Sequence, residues 1–591
     1  MQKDIIVLKL GSSVLETHED LPDAVHEIYR WYRSGYSVVA VVSAIGDTTD
    51  HLIAQAGELA HAPDPWSCAE FLTTGERASA ALLGVALDRS GVPARMVDPR
   101  EIGLTVSGGA LDSEPVSLDA DRLKLLLANH PVVIIPGFFG TACDGRVHLL
   151  GRGGSDLSAV FLANRLGAAQ CRLIKDVDGI YEADPALIRN QHPERFAALS
   201  HGDALRVACR LIQPKAVSYL QTHGRCADVA ARAVPYESRV HAGPTHLACS
   251  SKVPPLRVLI LGLGTVGFGV YQRLLANPTH FEVEAALVRN PAKYVALGVS
   301  TDILFSAEDQ LWALQPNLVI DALPAVDLSS RLVAHFLSRG VDVVSANKWL
   351  IAAHGPALDD IAERAGAHLR YSAAVGGGTP MIEAIDNARS DGTITALAAV
   401  LNGTCNFILD RCAAGAPLVD ALAEAQAAGF AEQDPTADLE GQDAERKLRI
   451  LCRHAFDSEP QAITAVALDD CIARKAALAA ERGMRLRPVA RAIEREGRLE
   501  ASIDFEEFKP EHPLGSLTRE WNGLEISSRA GSRFVKGRGA GRWPTTESIM
   551  ADAFDVRRLR WTNYADSQDL GPRANVRPGN GYGPAGVAAP I

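Results

Sequence analysis

An apolar run, Leu256–Leu261, ends in Gly262-Leu263-Gly264-Thr265-Val266-Gly267 and passes directly into a helical pattern, Thr265–Leu275. No other feature constrains the fold as much. A strand that enters a helix through GxGxxG begins a parallel α/β sheet, and its first turn suits a dinucleotide. The glycines permit a tight turn, close approach of a pyrophosphate and close helix–strand packing. The motif follows Ser250-Ser251-Lys252-Val253-Pro254-Pro255, whose paired prolines and small polar residues have linker chemistry. The next strand ends at Val288-Arg289-Asn290. An acidic residue there would bond a ribose 2′-hydroxyl, whereas Arg289 suits a 2′-phosphate and favours NADP over NAD. The structural alternative is an arginine that merely ends an exposed strand.

The chain has 591 residues, too many for a single core, so several domains are expected. A net charge of −12 argues against a nucleic-acid binder, which would present a basic face. The ten cysteines form no CxxC pair, so neither a disulfide framework nor a structural zinc site is expected. The sequence shows no signal peptide and no apolar stretch long enough to span a membrane. A cytoplasmic protein acting on small molecules, with no nucleic-acid or membrane partner, is the expectation.

Residues 1–248 alternate strand-like and helix-like segments. Ile5–Leu10, Ser37–Val42, Val132–Pro136 and Cys171–Lys175 read as strands, and Leu21–Arg33 and Asp156–Leu166 as helices. Such alternation predicts a mostly parallel sheet covered on both faces. A hairpin is expected at Phe139–Leu149, turning at Asp144-Gly145. After the linker at 249–255, a βαβ series fills 256–383. An extended run at Ile394–Leu401 and alanine-rich helices, including Leu418–Ala428 and Asp438–Arg453, predict an α+β domain over 384–530. Residues 531–556 would return to the nucleotide domain, and the Gly-, Pro- and Asn-rich segment 557–591 reads as a disordered tail.

Small, hydroxyl and charged residues recur at the strand ends of the first region. Lys9-Leu10-Gly11-Ser12-Ser13 closes the first strand, and a backbone turn of this kind approaches phosphate oxygens. Val41–Asp50, Thr74-Gly75-Glu76, Gly151–Asp156 and Lys175–Tyr181 follow. Singly, each is compatible with a solvated turn; together they place polar groups where α/β sheets bind ligands. These segments resemble the amino-acid kinase family, and aspartate kinases most. The family shows a KFGGxS-type loop, VSAxxGxTT, GE, GRGGSD and DVDGxY; this chain has KLGSS, VSAIGDTT, GE, GRGGSD and DVDGIY.

The resemblance implies an α/β/α sandwich that transfers phosphate from ATP, with Mg²⁺, to a side-chain carboxylate. Lys9 would stabilise the transferring group, and Asp156 would line the amino-acid site and steer the substrate. Ser43, Glu76 and Arg152 would bind the amino acid. Gly11, Ser12, Lys175, Asp176 and Asp178 would hold the nucleotide. Ser12 departs from the usual second glycine and is closer to glutamate 5-kinase. Cys209-Arg210-Leu211-Ile212-Gln213-Pro214 replaces a GAKVLHP-type segment. Another acidic amino acid as substrate, or a silent binding module, therefore stays open.

Residues 425–448 read AQAAGFAEQDPTADLEGQDAERKL. Asp443 and Lys447 are four apart, on one helical face; such a pair is either a surface ion pair or a lysine oriented by its neighbour. The segment resembles the homoserine dehydrogenase signature. Ala346-Asn347-Lys348, Ala374–Pro380, Asn402-Gly403-Thr404 and Gly539-Ala540-Gly541 support it. The resemblance implies a Rossmann domain with an α+β catalytic domain, converting aspartate 4-semialdehyde to homoserine with NADPH.

By the same resemblance, Lys447 would donate the proton, Asp443 would orient it, and Lys348 would assist at the reacting centre and the cofactor. Glu432 and Asp438 would bind substrate. Gly262, Gly264, Thr265, Val266, Gly267, Arg289 and Gly539 would contact the cofactor. Val375 is a candidate monovalent-cation ligand, although Ser372 stands where some relatives carry an acid. A homo-oligomer, dimeric or larger, is implied. Fusions of the two families usually hold ACT domains between the halves. The 249–255 segment leaves no room for one, so threonine or lysine control of that kind is not expected.

Overall fold

The computed structural model describes residues 3–183, 193–208, 211–232, 237–248 and 254–567, with side chains as far as Arg560. The Cys209-Arg210 departure, most of the linker and the last part of the tail lie outside these residues. The chain divides into two compact units, Met1–Pro254 and Pro255–Ile591.

The first unit is built on a nine-stranded sheet. Its order is His246–Leu247, Phe196–Ser200, Ser238–His241, Ala227–Ala230, Gln170–Ile174, Ile5–Leu10, Ser37–Val42, Val132–Pro136, Ala94–Met96. The central four strands, Gln170–Ile174 to Val132–Pro136, run parallel. Ile5–Leu10, Ser37–Val42 and Val132–Pro136 are buried at every position, as a parallel strand covered on both faces must be. Val7, Val39, Val133 and Leu173 of this sheet pack against Val160 and Phe161 of the helix Gly154–Leu166. Four short strands form a second sheet. In it Phe139–Thr141 and Val147–Leu149 make the expected hairpin, with Gly145 at φ 80°.

The second unit opens with a six-stranded parallel sheet. Its order is Leu304–Phe305, Phe281–Leu287, Leu256–Leu261, Leu318–Asp321, Asp342–Ser345, Leu369–Arg370. The helix Thr265–Leu275 buries Val270 and Leu274 in a cluster with Ile549, Met550, Ala553 and Val556. Those four belong to the long helix Arg542–Ser567. That helix makes the return to the nucleotide domain and corrects two expectations. The return starts at 542 rather than 531, because Gly531–Arg538 is still a strand of the catalytic sheet, paired with Trp521–Ser528. The tail is helical as far as Ser567, since Val556 and Arg557 are buried and hold the helix to the sheet.

The catalytic sheet also has six strands, in the order Ile463–Ala465, Arg498–Phe508, Arg485–Arg495, Ile394–Val400, Trp521–Ser528, Gly531–Arg538. The helix expected over Asp438–Arg453 is two helices, Thr436–Leu439 and Gln442–Phe456. Gly441, at φ 79°, takes the left-handed conformation between them. No helix among the described residues is long and apolar enough to cross a membrane.

Candidate active sites

In the first unit, three charged side chains meet at the carboxyl ends of the central strands. Lys9 is the penultimate residue of Ile5–Leu10, and Lys175 follows Gln170–Ile174, the strand beside it. Asp156 stands in the first turn of the helix Gly154–Leu166. Its carboxylate lies 3.0 Å from Lys9 Nζ and 3.1 Å from Lys175 Nζ, and accepts the Gln213 backbone N–H at 3.2 Å. All three side chains are buried. Burial alone would raise the Asp156 pKa, but the two ammonium groups pull it below the ordinary carboxylate value. Burial, reinforced by Lys9, brings Lys175 down to about 8. One carboxylate between two ammonium groups leaves net positive charge, a setting that suits an anionic ligand.

The residues expected to bind an amino acid lie along the adjoining 43–50 segment. Ser43 is half-buried, and its N–H bonds the Leu10 carbonyl at 3.0 Å. Gly75 lets the helix Pro65–Arg89 approach that segment: a Cβ there would stand 3.1 Å from the Ala44 Cβ. The approach buries Glu76, which accepts the Ala44 N–H at 3.4 Å through one oxygen. Its other oxygen has no partner among the described residues. Arg152 is exposed and pairs with Asp50 at 3.2 Å. Gly11 accepts the Val14 and Leu15 N–H groups through its carbonyl, which makes the first loop tight, with Ser12 exposed at its tip. Asp176 is exposed, and Asp178 accepts a hydrogen bond from the Tyr181 hydroxyl at 2.6 Å; neither is paired with the lysine cluster.

Burial pushes the Glu76 carboxyl up to about 7. The unfolded chain releases this proton near 4.5, so stability is lost as pH rises from there through about 7, by up to about 3 kcal/mol. Glu76→Gln is expected to raise the melting temperature above about pH 7 and leave it near wild type below about pH 4.5, as read by calorimetry. The same variant should weaken amino-acid binding at both pH values.

In the second unit, the glycine loop has the shape that its spelling predicts. Gly262 has φ 92°, and a side chain at Gly267 would overlap the Gly262 carbonyl. A Cβ on Gly264 would meet nothing within 4 Å, so this backbone is open to a close ligand. Thr265 and Val266 start the helix behind it, whose N-terminus faces the loop. Arg289 is exposed and makes no ion pair among the described residues. This cradle fits a dinucleotide pyrophosphate.

Two strands along the same sheet edge, Asp342–Ser345 leads to Lys348. The buried Asp321 carboxyl accepts the Ser329 and Ser345 hydroxyls at 2.6 and 2.9 Å, and burial raises its pKa. Asn347 then caps the helix Lys348–Ala365 through the Leu350 N–H. The cap sends Lys348 toward Gln442–Phe456, where its ammonium pairs with Asp443. The other Asp443 oxygen holds Lys447 at 2.8 Å. Lys447 also donates to the Leu401 carbonyl at 2.8 Å. Asp443 and Lys447 are buried, which excludes the surface-pair reading of their spacing. Burial opposes the Asp443 charge, yet the two lysines hold its pKa well below the carboxylate range.

Asp438 joins this group through Asn402, whose amide donates to it at 2.7 Å and to Asp443 at 3.4 Å. The Thr404 hydroxyl donates to the Phe430 carbonyl at 2.7 Å and stands 3.2 Å from Asp438. These two donors were legible only as part of an Asn-Gly-Thr segment. Glu432 is exposed in the preceding loop and is not bonded to the cluster. Gly539 packs on Asn522, and a side chain at Gly377 would overlap the Gly539 carbonyl. Val375 is fully buried in the short helix Ser372–Gly376. The Ser372 hydroxyl donates to Glu383 and its backbone N–H to Asp552 at 3.2 Å, so acidic groups reach this point from elsewhere in the chain. Among the described residues no group of three or more His, Cys, Asp or Glu side chains is placed to hold a metal.

A GxGxxG nucleotide domain that delivers a lysine–aspartate–lysine cluster to its own edge has the build of a nicotinamide-dependent dehydrogenase. Residues 262–372 match the family model of the homoserine dehydrogenase NAD-binding domain, and residues 380–554 that of homoserine dehydrogenase. Residues 4–224 match the amino acid kinase family. A homoserine dehydrogenase of Lactococcus lactis is 31% identical over 312 residues, 50% of this chain and 73% of that protein. One of Pseudomonas aeruginosa is 34% identical, over 51% of this chain and 73% of that protein. An aspartokinase of Thermus thermophilus is 33% identical over 37% of this chain. The chain spans about half of that relative, 55% of its length. The chain belongs to the homoserine dehydrogenase family, with an amino acid kinase region fused ahead of it.

Proposed function

We propose that the second unit reduces aspartate 4-semialdehyde to homoserine with NADPH, and that the first phosphorylates the side chain of aspartate from Mg-ATP. Both steps belong to threonine and methionine biosynthesis. The observation that carries the reading is Lys447, buried and held between Asp443 and the Leu401 carbonyl. A bound nicotinamide supplies hydride; the protein supplies the proton. Lys447 gives it to the aldehyde oxygen as negative charge develops there, and Asp443 orients the ammonium. Lys348, on the far side of Asp443, adds a second positive charge to the same site. Asp438, and Glu432 from its loop, would take the substrate ammonium group.

In the first unit, Lys9 and Lys175 neutralise the transferring phosphoryl group, and Asp156 keeps them apart and in place. Arg152, Glu76 and Ser43 bind the amino acid. Its product, an acyl phosphate, must be reduced by a separate enzyme before the second unit can use it. The test is a panel on the purified protein: ATP turnover with aspartate, glutamate and no acceptor, and aldehyde reduction with NADPH and NADH. Turnover with aspartate and NADPH supports the reading. A preference for glutamate, or no turnover with any acceptor, overturns the kinase half.

NADPH preference rests on Arg289. Its replacement by alanine is expected to lower kcat/KM with NADPH about tenfold, the worth of one charge-assisted bond, and to leave NADH nearly unchanged. Equal losses with both nucleotides would remove Arg289 from the 2′-phosphate.

A further inference from the structure

The strand Ile394–Val400 pairs with Trp521–Ser528, with Val400 opposite Gly523. One residue on, the chain turns toward Asn402, which caps the helix Gly403–Ala413. At this corner the Leu401 carbonyl accepts two side-chain donors, Lys447 Nζ at 2.8 Å and Asn522 Nδ2 at 3.1 Å. Asn522 is only 1% exposed. Burying an amide is costly, and here the Nδ2 group offsets part of that cost through Leu401 while Oδ1 has no partner among the described residues. Gly539 lies so close to the Asn522 amide that any side chain at 539 would overlap it.

We propose that Asn522 is a positioning residue for Lys447. It fixes the carbonyl that holds the ammonium and ties that carbonyl to the Gly539-Ala540-Gly541 loop. The inference rests on the reading of Lys447 as proton donor. An ammonium has three N–H groups. Asp443 takes one and Leu401 a second, so the third is directed by these two acceptors. Asp443 is itself fixed by Lys348 and Asn402. Leu401 is a main-chain group at a corner, and Asn522 is the side chain that steadies it.

Asn522→Asp keeps the shape and removes the donor; Asn522→Leu removes it with an apolar group of similar size. In both, kcat for aldehyde reduction is expected to fall about tenfold, the scale of a sub-ångström misplacement of a reacting group. KM for the aldehyde and NADPH affinity by fluorescence titration should change little. The solvent deuterium isotope effect on kcat should grow, because proton delivery becomes slower. Wild-type kcat and isotope effect in a variant that binds NADPH normally would overturn the proposal. So would a loss of kcat matched by an equal loss of NADPH-binding sites, the mark of misfolding alone. Lys447→Met, measured beside them, separates the two claims. If it retains turnover, the reading of Lys447 fails. If it is inactive while the Asn522 variants behave as wild type, only the positioning role fails.

Discussion

Lys447→Met is expected to lower kcat for aldehyde reduction by about three orders of magnitude, within the range that a positioned general acid supplies. The loss should fall on chemistry rather than on folding. Asp443 would still face Lys348 and the Asn402 amide, so its buried charge is not orphaned. Methionine also fills most of the volume of the lysine stem, and the neighbouring Leu448, Ile450 and Leu451 keep the helix Gln442–Phe456 in its core. NADPH affinity, which the proposal places on the glycine loop and Arg289, should therefore stay within about twofold of wild type. Stopped-flow measurement of NADPH oxidation together with fluorescence titration gives both quantities. An unchanged kcat would remove Lys447 from proton transfer. A lost NADPH affinity would show that its role is in binding.

Asp156→Asn has the largest effect expected in the first unit. It leaves the Lys9 and Lys175 ammonium groups buried together with no carboxylate between them. Removing one partner from a buried charge cluster costs about 3–5 kcal/mol, and the pair relieves part of this by releasing a proton. Lys175, already brought down to about 8, is the one that releases it. Phosphoryl transfer then loses a cation as well as its geometry, and ATP turnover should fall by at least about two orders of magnitude. Aldehyde reduction by the same preparation should be unaffected, since the second unit is compact by itself. A variant that keeps ATP turnover would show that Asp156 does not organise the lysines.

The parts of the molecule that repeat on a short period were legible from residues alone. The strands Ile5–Leu10, Ser37–Val42 and Leu256–Leu261 are mostly apolar runs, interrupted only by Lys9, Ser37 and Arg257, and the structure has them at those bounds. Asp443 and Lys447 declared themselves by spacing. What spacing could not carry was burial, and burial excludes a surface bridge for this pair. Lys348 lies 95 residues from Asp443 in sequence, and its pairing depends on the Asn347 cap, which a sequence shows only as a residue type.

The long strands Arg485–Arg495 and Arg498–Phe508 were missed because charge masks their alternation. Arg487 is buried there and paired with Asp410, which no local pattern reveals. The Leu401 carbonyl is a backbone group and leaves no trace in residue identity. Glu432 stands in an exposed loop outside the bonded cluster, a placement that its segment does not reveal.

The most direct measurement is product detection with the single purified chain. Given aspartate 4-semialdehyde and NADPH, it should form homoserine in stoichiometric balance with NADPH consumed; given aspartate and Mg-ATP, it should form an acyl phosphate trapped by hydroxylamine. Homoserine formation that disappears in Lys447→Met while acyl phosphate formation persists is the result predicted for two catalytic units in one chain. No homoserine from the wild-type protein, or homoserine formed by Lys447→Met at the wild-type rate, would contradict it.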